Sequence, residues 1–176
     1  MTGGDVARAA LLLFAAAILQ VTLVASGGIA GGSFDLLLVV LVAVALARGS
    51  VVGALGGFGG GLVVDTATLG TLGLTSLLLT IVGYWIGRYG ETTGRDRAHA
   101  PYLSVVVATI LYAAGAFGLH ALLGNDVSAR LVLLDWLPPS VVLNLVLALP
   151  VFWLARRVLA PSGATRAPRA EVRTAG

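Results

Sequence analysis

Chemistry needs reactive groups in company, and this sequence offers few. Its histidines are His99 and His120, and it has no cysteine. The missing thiols exclude a disulfide framework, a thiolate metal site and a cysteine nucleophile. No H-E-x-x-H stretch occurs, so there is no zinc site of that type. Ser104 and His120 lie 16 residues apart, at opposite ends of one predicted helix, and cannot form a dyad within a chain. No serine sits in a G-x-S-x-G elbow. A paired-carboxylate site would draw on Asp35 and Asp65, which lie toward the same face of the membrane and could meet, although nothing in the sequence forces it. The expectation is therefore a protein that is not an enzyme and has no cofactor or metal.

What the sequence does offer is a pattern for close packing. Between Arg48 and Asp65, Gly49, Gly53, Gly57 and Gly61 recur every four residues. On a helix that spacing places them along one face, drifting by about 40° per step. Gly56 and Gly60 widen the face. A surface without side chains lets another helix approach closely, which is how membrane helices pack without a hydrophobic force between them. Such a face either packs inside the protein's own bundle or docks a partner. The first is expected, because a short glycine-rich helix is ill suited to face lipid. Gln20 and Asn144 are isolated amides in apolar runs. Each is expected to hydrogen-bond across helices, worth about 0.6 kcal/mol on average; lining a ligand cavity is the alternative. A charge at the bilayer centre costs about 2.5–3.5 kcal/mol. A turn over residues 65–70 would bring Asp65 to the interface, where its carboxylate could cap the next segment by accepting free N–H groups. A functional polar contact is the other reading of Asp65.

The elements that position these residues follow from composition. The chain has 176 residues, of which 58% are hydrophobic and 11% charged, with a mean hydropathy of +0.99. Soluble domains carry about 25% charged residues, and disordered chains carry few apolar ones. The natural solvent is the bilayer. Six apolar runs read as transmembrane helices: Ala7–Ala25, the run from after Asp35 to Arg48, Val51–Val64, Leu72–Gly87, Tyr102–Leu123 and Pro139–Ala160. A span needs about 20 apolar residues, so the second and third are short. Pro150 predicts a kink in the sixth, and Pro138-Pro139 suits its start. Residues 1–27 also read as a signal peptide, but the apolar stretch is longer than the usual 7–15 or so residues, and an uncleaved first helix is expected.

All the basic residues are arginine. Assigning loops to alternate sides puts Arg8, Arg48, Arg88, Arg95, Arg97, Arg156, Arg157, Arg166, Arg169 and Arg173 on one side and Arg130 on the other. The bias predicts that both termini face the cytoplasm. Tyr84, Trp85, Tyr89 and Trp153 flank the arginine-rich interface, and Trp136 would mark the opposite one. Arg156 and Arg157 fall at the membrane surface. Residues 1–160 form the six-helix domain, and 161–176 read as a disordered basic tail. The tail arginines could attract anionic membrane lipid at about 1 kcal/mol each, but a topology signal suffices to explain them. Without interleaved aromatics the tail does not suggest nucleic-acid binding. No connecting loop is long enough to fold as a domain of about 50 residues.

Several stretches together resemble the rod shape-determining protein MreD family. They are Gln20-Val21-Thr22-Leu23, Asp35-Leu36-Leu37-Leu38, Arg48-Gly49, the segment from Gly53 to Phe58 and on through Gly61 to Asp65, Leu69-Gly70-Thr71-Leu72-Gly73, and Gly83-Tyr84-Trp85-Ile86-Gly87-Arg88. Phe34 departs from the pattern, which often has proline before the aspartate. From Tyr102 onward the match is in hydropathy more than in residues. The resemblance implies an all-α, six-helix membrane protein similar in fold to the substrate-binding subunits of energy-coupling-factor transporters. It also implies a non-enzymatic scaffold of the elongation machinery in the bacterial cytoplasmic membrane. Such a scaffold would bind MreC and act with the elongation transpeptidase, RodA and MreB on peptidoglycan synthesis and rod shape. A homo-oligomer is compatible with it. On that view Gln20, Asp35, Gly49, Gly53, Gly57, Gly61, Asp65, Gly83 and Gly87 are candidates for helix packing or partner contact. The competing expectation is a small-molecule-binding subunit of a transporter of the energy-coupling-factor type. Its pocket would need polar groups near the midplane, for which Gln20, Thr75, Thr80, Thr109 and Asn144 are the candidates.

Overall fold

In the computed structural model, residues 3–25, 35–69, 71–92, 100–124 and 135–159 are described. The expected tail, the start of the second segment at Phe34, and His99, Arg95, Arg97 and Arg130 lie outside them. Six helices follow in chain order: α1 (Gly3–Ala25), α2 (Leu36–Arg48), α3 (Ser50–Thr68), α4 (Leu74–Thr92), α5 (Ala100–Leu122) and α6 (Leu137–Val158).

The helix that organises the others is the shortest. α2 has 13 residues, and Leu36 through Ala45 are all buried. At about 1.5 Å per residue it spans about 20 Å, too little for about 30 Å of hydrocarbon. It does not need to face lipid, because it packs against all five other helices. Leu37, Leu38, Val39, Leu41, Val42 and Val44 form the centre of the core. A helix that is apolar on every side is a core helix, and α2 is one.

Four helices are long and apolar enough to cross a membrane: α1, α3, α5 and α6. Their outer faces carry Leu11, Phe14, Ile18, Val51, Leu55, Phe58, Leu103, Val142, Val146 and Leu149, all exposed. So much apolar surface would be a liability in water and is the ordinary exterior of a membrane protein. The interior holds Gln20, Asp35, Asp65 and Asn144. The six expected segments therefore appear as six helices of a polytopic membrane protein, with α2 enclosed by the rest.

Boundaries differ from expectation at several points: α1 starts at Gly3 and not Ala7, α4 runs past Gly87 to Thr92, and α5 starts at Ala100 and not Tyr102. α3 does not end at Val64 but carries Asp65 within it and runs to Thr68. The Thr66 and Thr68 hydroxyls donate to the carbonyls of Leu62 (2.8 Å) and Val64 (2.9 Å), the back-bonding open to a threonine within a helix. The chain then turns at Leu69, whose φ is 53°. α6 begins at Leu137, two residues before Pro139, with proline in its first turn, where a missing N–H costs nothing, and it continues through Pro150.

One end of the bundle gathers the described arginines. Arg48 Nη2, at the close of α2, pairs with Asp5 of α1 at 3.3 Å and donates to the Leu159 carbonyl after α6 at 3.1 Å. Arg88 lies in the last turns of α4, and Arg156 and Arg157 in the last turn of α6. Arg157 sits over the Trp153 ring at 4.0 Å, a favourable cation–aromatic contact at an interface.

Candidate helix-packing core

The most extensive helix pair is α3 with α4, and glycine makes it so. Gly53, Gly57 and Gly61 are buried on one face of α3. A Cβ on Gly53 would strike the Gly83 carbonyl, and one on Gly83 would strike the Gly53 carbonyl. A Cβ on Gly57 would meet the Leu79 backbone, and one on Gly61 the Ser76 backbone. Gly87 faces the backbone of Gly49 and Ser50 at the far end of the same seam. The two backbones therefore touch along their length, which is possible only where side chains are absent. Ser76 adds a bond across the seam, its hydroxyl donating to the Phe58 carbonyl at 2.9 Å. Gly56 and Gly60 face elsewhere: a Cβ on Gly56 would strike Leu13 of α1, and one on Gly60 would press on Leu37 of α2. So the structure places Gly53, Gly57, Gly61, Gly83 and Gly87 inside the bundle, against the protein's own helices.

Gly49 departs from the expected run, because it lies between α2 and α3 and not within a helix. Its φ is +93°, a conformation that side chains disfavour. The tight junction leaves the first N–H groups of α3 without helical partners, and Glu91 of α4 supplies one. Its carboxylate accepts from Ser50 N at 2.7 Å and from Ser50 Oγ at 3.0 Å, with Arg88 at 3.6 Å. These bonds, the backbone one foremost, hold the Glu91 carboxyl below its ordinary value of 4.5. Because the folded value is the lower one, the contribution to stability is complete above 4.5 and is lost as pH falls through the folded value. Thermal unfolding is therefore expected to shift down as pH falls below 4.5, and Glu91→Gln is expected to flatten that part of the profile. An unchanged profile in the variant would show that Glu91 does not clamp this corner. With the fourth segment expected to end at Gly87, Glu91 lay beyond it, and nothing in the sequence paired it with Ser50.

At the opposite end the polar residues form two separate caps. Gln20 of α1 donates from Nε2 to Asp35 Oδ1 at 2.8 Å, while its Oε1 accepts the Leu37 N–H at 2.7 Å. Asn144 of α6, wholly buried, accepts the Asp35 N–H at 3.1 Å and donates to Thr109 Oγ1 of α5 at 3.2 Å. The N-terminus of α2 is thus capped by amides from α1 and α6, and four helices meet at it. Asp65 caps α4: Oδ2 accepts from the N–H groups of Gly73 (2.9 Å) and Ser76 (3.2 Å), and Oδ1 from that of Thr75 (3.2 Å). Asp35 and Asp65 serve different helix ends. Ser104 and His120 lie near opposite ends of α5. Among the described residues no group of three or more His, Cys, Asp or Glu side chains is placed to hold a metal ion.

These arrangements define a class: a polytopic helical membrane protein whose buried polar groups and glycines join its own helices. The chain belongs to the rod shape-determining protein MreD family, whose family model matches residues 6–159. That span takes in all six helices except the first three residues of α1. The family places the protein in rod shape determination. No curated protein and no solved structure matches the chain.

Proposed function

We propose that the protein is a non-catalytic integral scaffold of the bacterial elongation machinery, which binds the single span of MreC and so helps to regulate peptidoglycan synthesis and rod shape. The family match over residues 6–159 carries the reading. The chemistry of the interior supports it. Gln20, Asp35, Asn144, Thr109 and Asp65 are engaged in helix-to-helix bonds, and the exposed surface is apolar helix, suited to meeting other spans. The elongation transpeptidase, RodA and MreB are the further partners of this reading, reached through MreC. Depletion is expected to turn rods into spheres, and expression of the intact chain to restore them; cells that keep their shape without it, and without a second copy, would contradict the proposal.

We place it in the cytoplasmic membrane with both termini inside, from the gathering of arginines at one end of the bundle. Alkaline phosphatase fused after Thr68 or Asp126 is expected to be active, and after Gly94 or Pro168 inactive. The reverse pattern would invert the orientation.

A further inference from the structure

The lipid-facing side of α4 and α5 holds a groove of about 360 Å³, walled by Trp85, Ile86 and Tyr89 of α4 and by Leu103, Val107 and Leu111 of α5. One wall residue is different. Ser104 is 2% exposed, and its Oγ is buried without a hydrogen-bond partner, alone in this among the described residues. A buried hydroxyl left without a partner is unfavourable, so this one is suited to a ligand that brings an acceptor.

The unpartnered hydroxyl selects the occupant. A neighbouring helix spends its backbone carbonyls on its own hydrogen bonds, whereas a phospholipid brings free ester carbonyls beside its acyl chains. Depth selects the rest of the ligand. Tyr89 and Leu103 lie one turn from the helix ends at Thr92 and Ala100, at the arginine-rich end, where Trp and Tyr mark the headgroup level. Arg88 follows Trp85 by three residues, on the same face of α4. Its side chain is 58% exposed, and Glu91, already engaged by Ser50, lies 3.6 Å away.

We propose that this groove is a binding site for one anionic phospholipid. The phosphate pairs with Arg88, an ester carbonyl accepts the hydrogen bond of Ser104 Oγ, and an acyl chain runs inward along Val107 and Leu111. The test is titration of phosphatidylglycerol into the delipidated, intact protein, read by native mass spectrometry. Wild type is expected to retain one lipid per chain. Arg88→Gln is expected to weaken retention about fivefold, the scale of one arginine at a membrane surface, and Val107→Trp, which fills the groove, to abolish it. Ser104→Ala removes only an unpartnered oxygen, so it leaves the fold intact and should also weaken retention. Undiminished retention in Ser104→Ala and Val107→Trp would overturn the site, and equal retention of phosphatidylethanolamine would overturn its anionic character. A protein chain cross-linked into the groove in place of lipid would overturn the choice of occupant.

Discussion

Gly57→Ala is expected to destabilise the bundle by about 1–3 kcal/mol, the usual cost of forcing extra volume into a packed interior, and Gly57→Leu is expected to leave no folded protein. The added Cβ has no soft neighbour. It meets the backbone of Leu79 and Thr80, and a helix backbone cannot step aside as a side chain end can. Relief requires α3 and α4 to separate, which would open the seam at Gly53–Gly83 and Gly61–Ser76 as well. Gly59 provides the control. It lies two residues away on the same helix, is exposed, and has open space where a Cβ would go. Gly59→Ala is expected to be neutral or to stabilise by up to about 1 kcal/mol, because alanine favours the helix over glycine. Thermal unfolding of the two variants in detergent separates a requirement for packing from a general intolerance of alanine. Equal midpoints would contradict the packing account.

Asp65→Ala is expected to cost about 3 kcal/mol, the upper range for a hydrogen-bonding charged group lost from a buried site. Three N–H groups at the start of α4 would lose their acceptor together. The carboxylate also faces the positive end of the α4 dipole. Asp65→Asn keeps one carbonyl acceptor and loses the charge, so about half the effect is expected. Amide hydrogen exchange is the direct measure. Protection should fall at Thr75 and Ser76 in both variants and remain unchanged at the far end of α4. Uniform loss along α4 would show that Asp65 acts on the whole helix and not on its cap.

Much of this was legible in the residues, for reasons that also explain what was not. The four-residue glycine spacing announces a bare helix face, because a helix repeats every 3.6 residues. It does not name the neighbour, and the backbone of α4 had to be seen against it. Asp65 was readable as a cap because it precedes a turn and a new apolar run. Its own position inside α3 was not, since the helix stops at a left-handed Leu69, where glycine or asparagine is the usual signal. The shortness of α2 was legible but its burial was not, since flanks or a thinned bilayer can also accommodate a short span; its packing against all five other helices decides it. Gln20, Asp35 and Asn144 are far apart in the chain, and no periodicity joins them. Only the crossing of α1, α2, α5 and α6 brings the amides to one helix end. Glu91 and Ser50 escaped for the same reason, being 41 residues apart.

The scaffold reading rests on the protein holding another span without transforming anything. Its most direct test is tandem affinity purification of the intact chain from membranes, with quantitative identification of everything retained. The account predicts recovery of MreC with the wall synthases, from wild type and from Gly59→Ala alike. Recovery of paired ATPases with a tightly held vitamin, and no MreC, would contradict it.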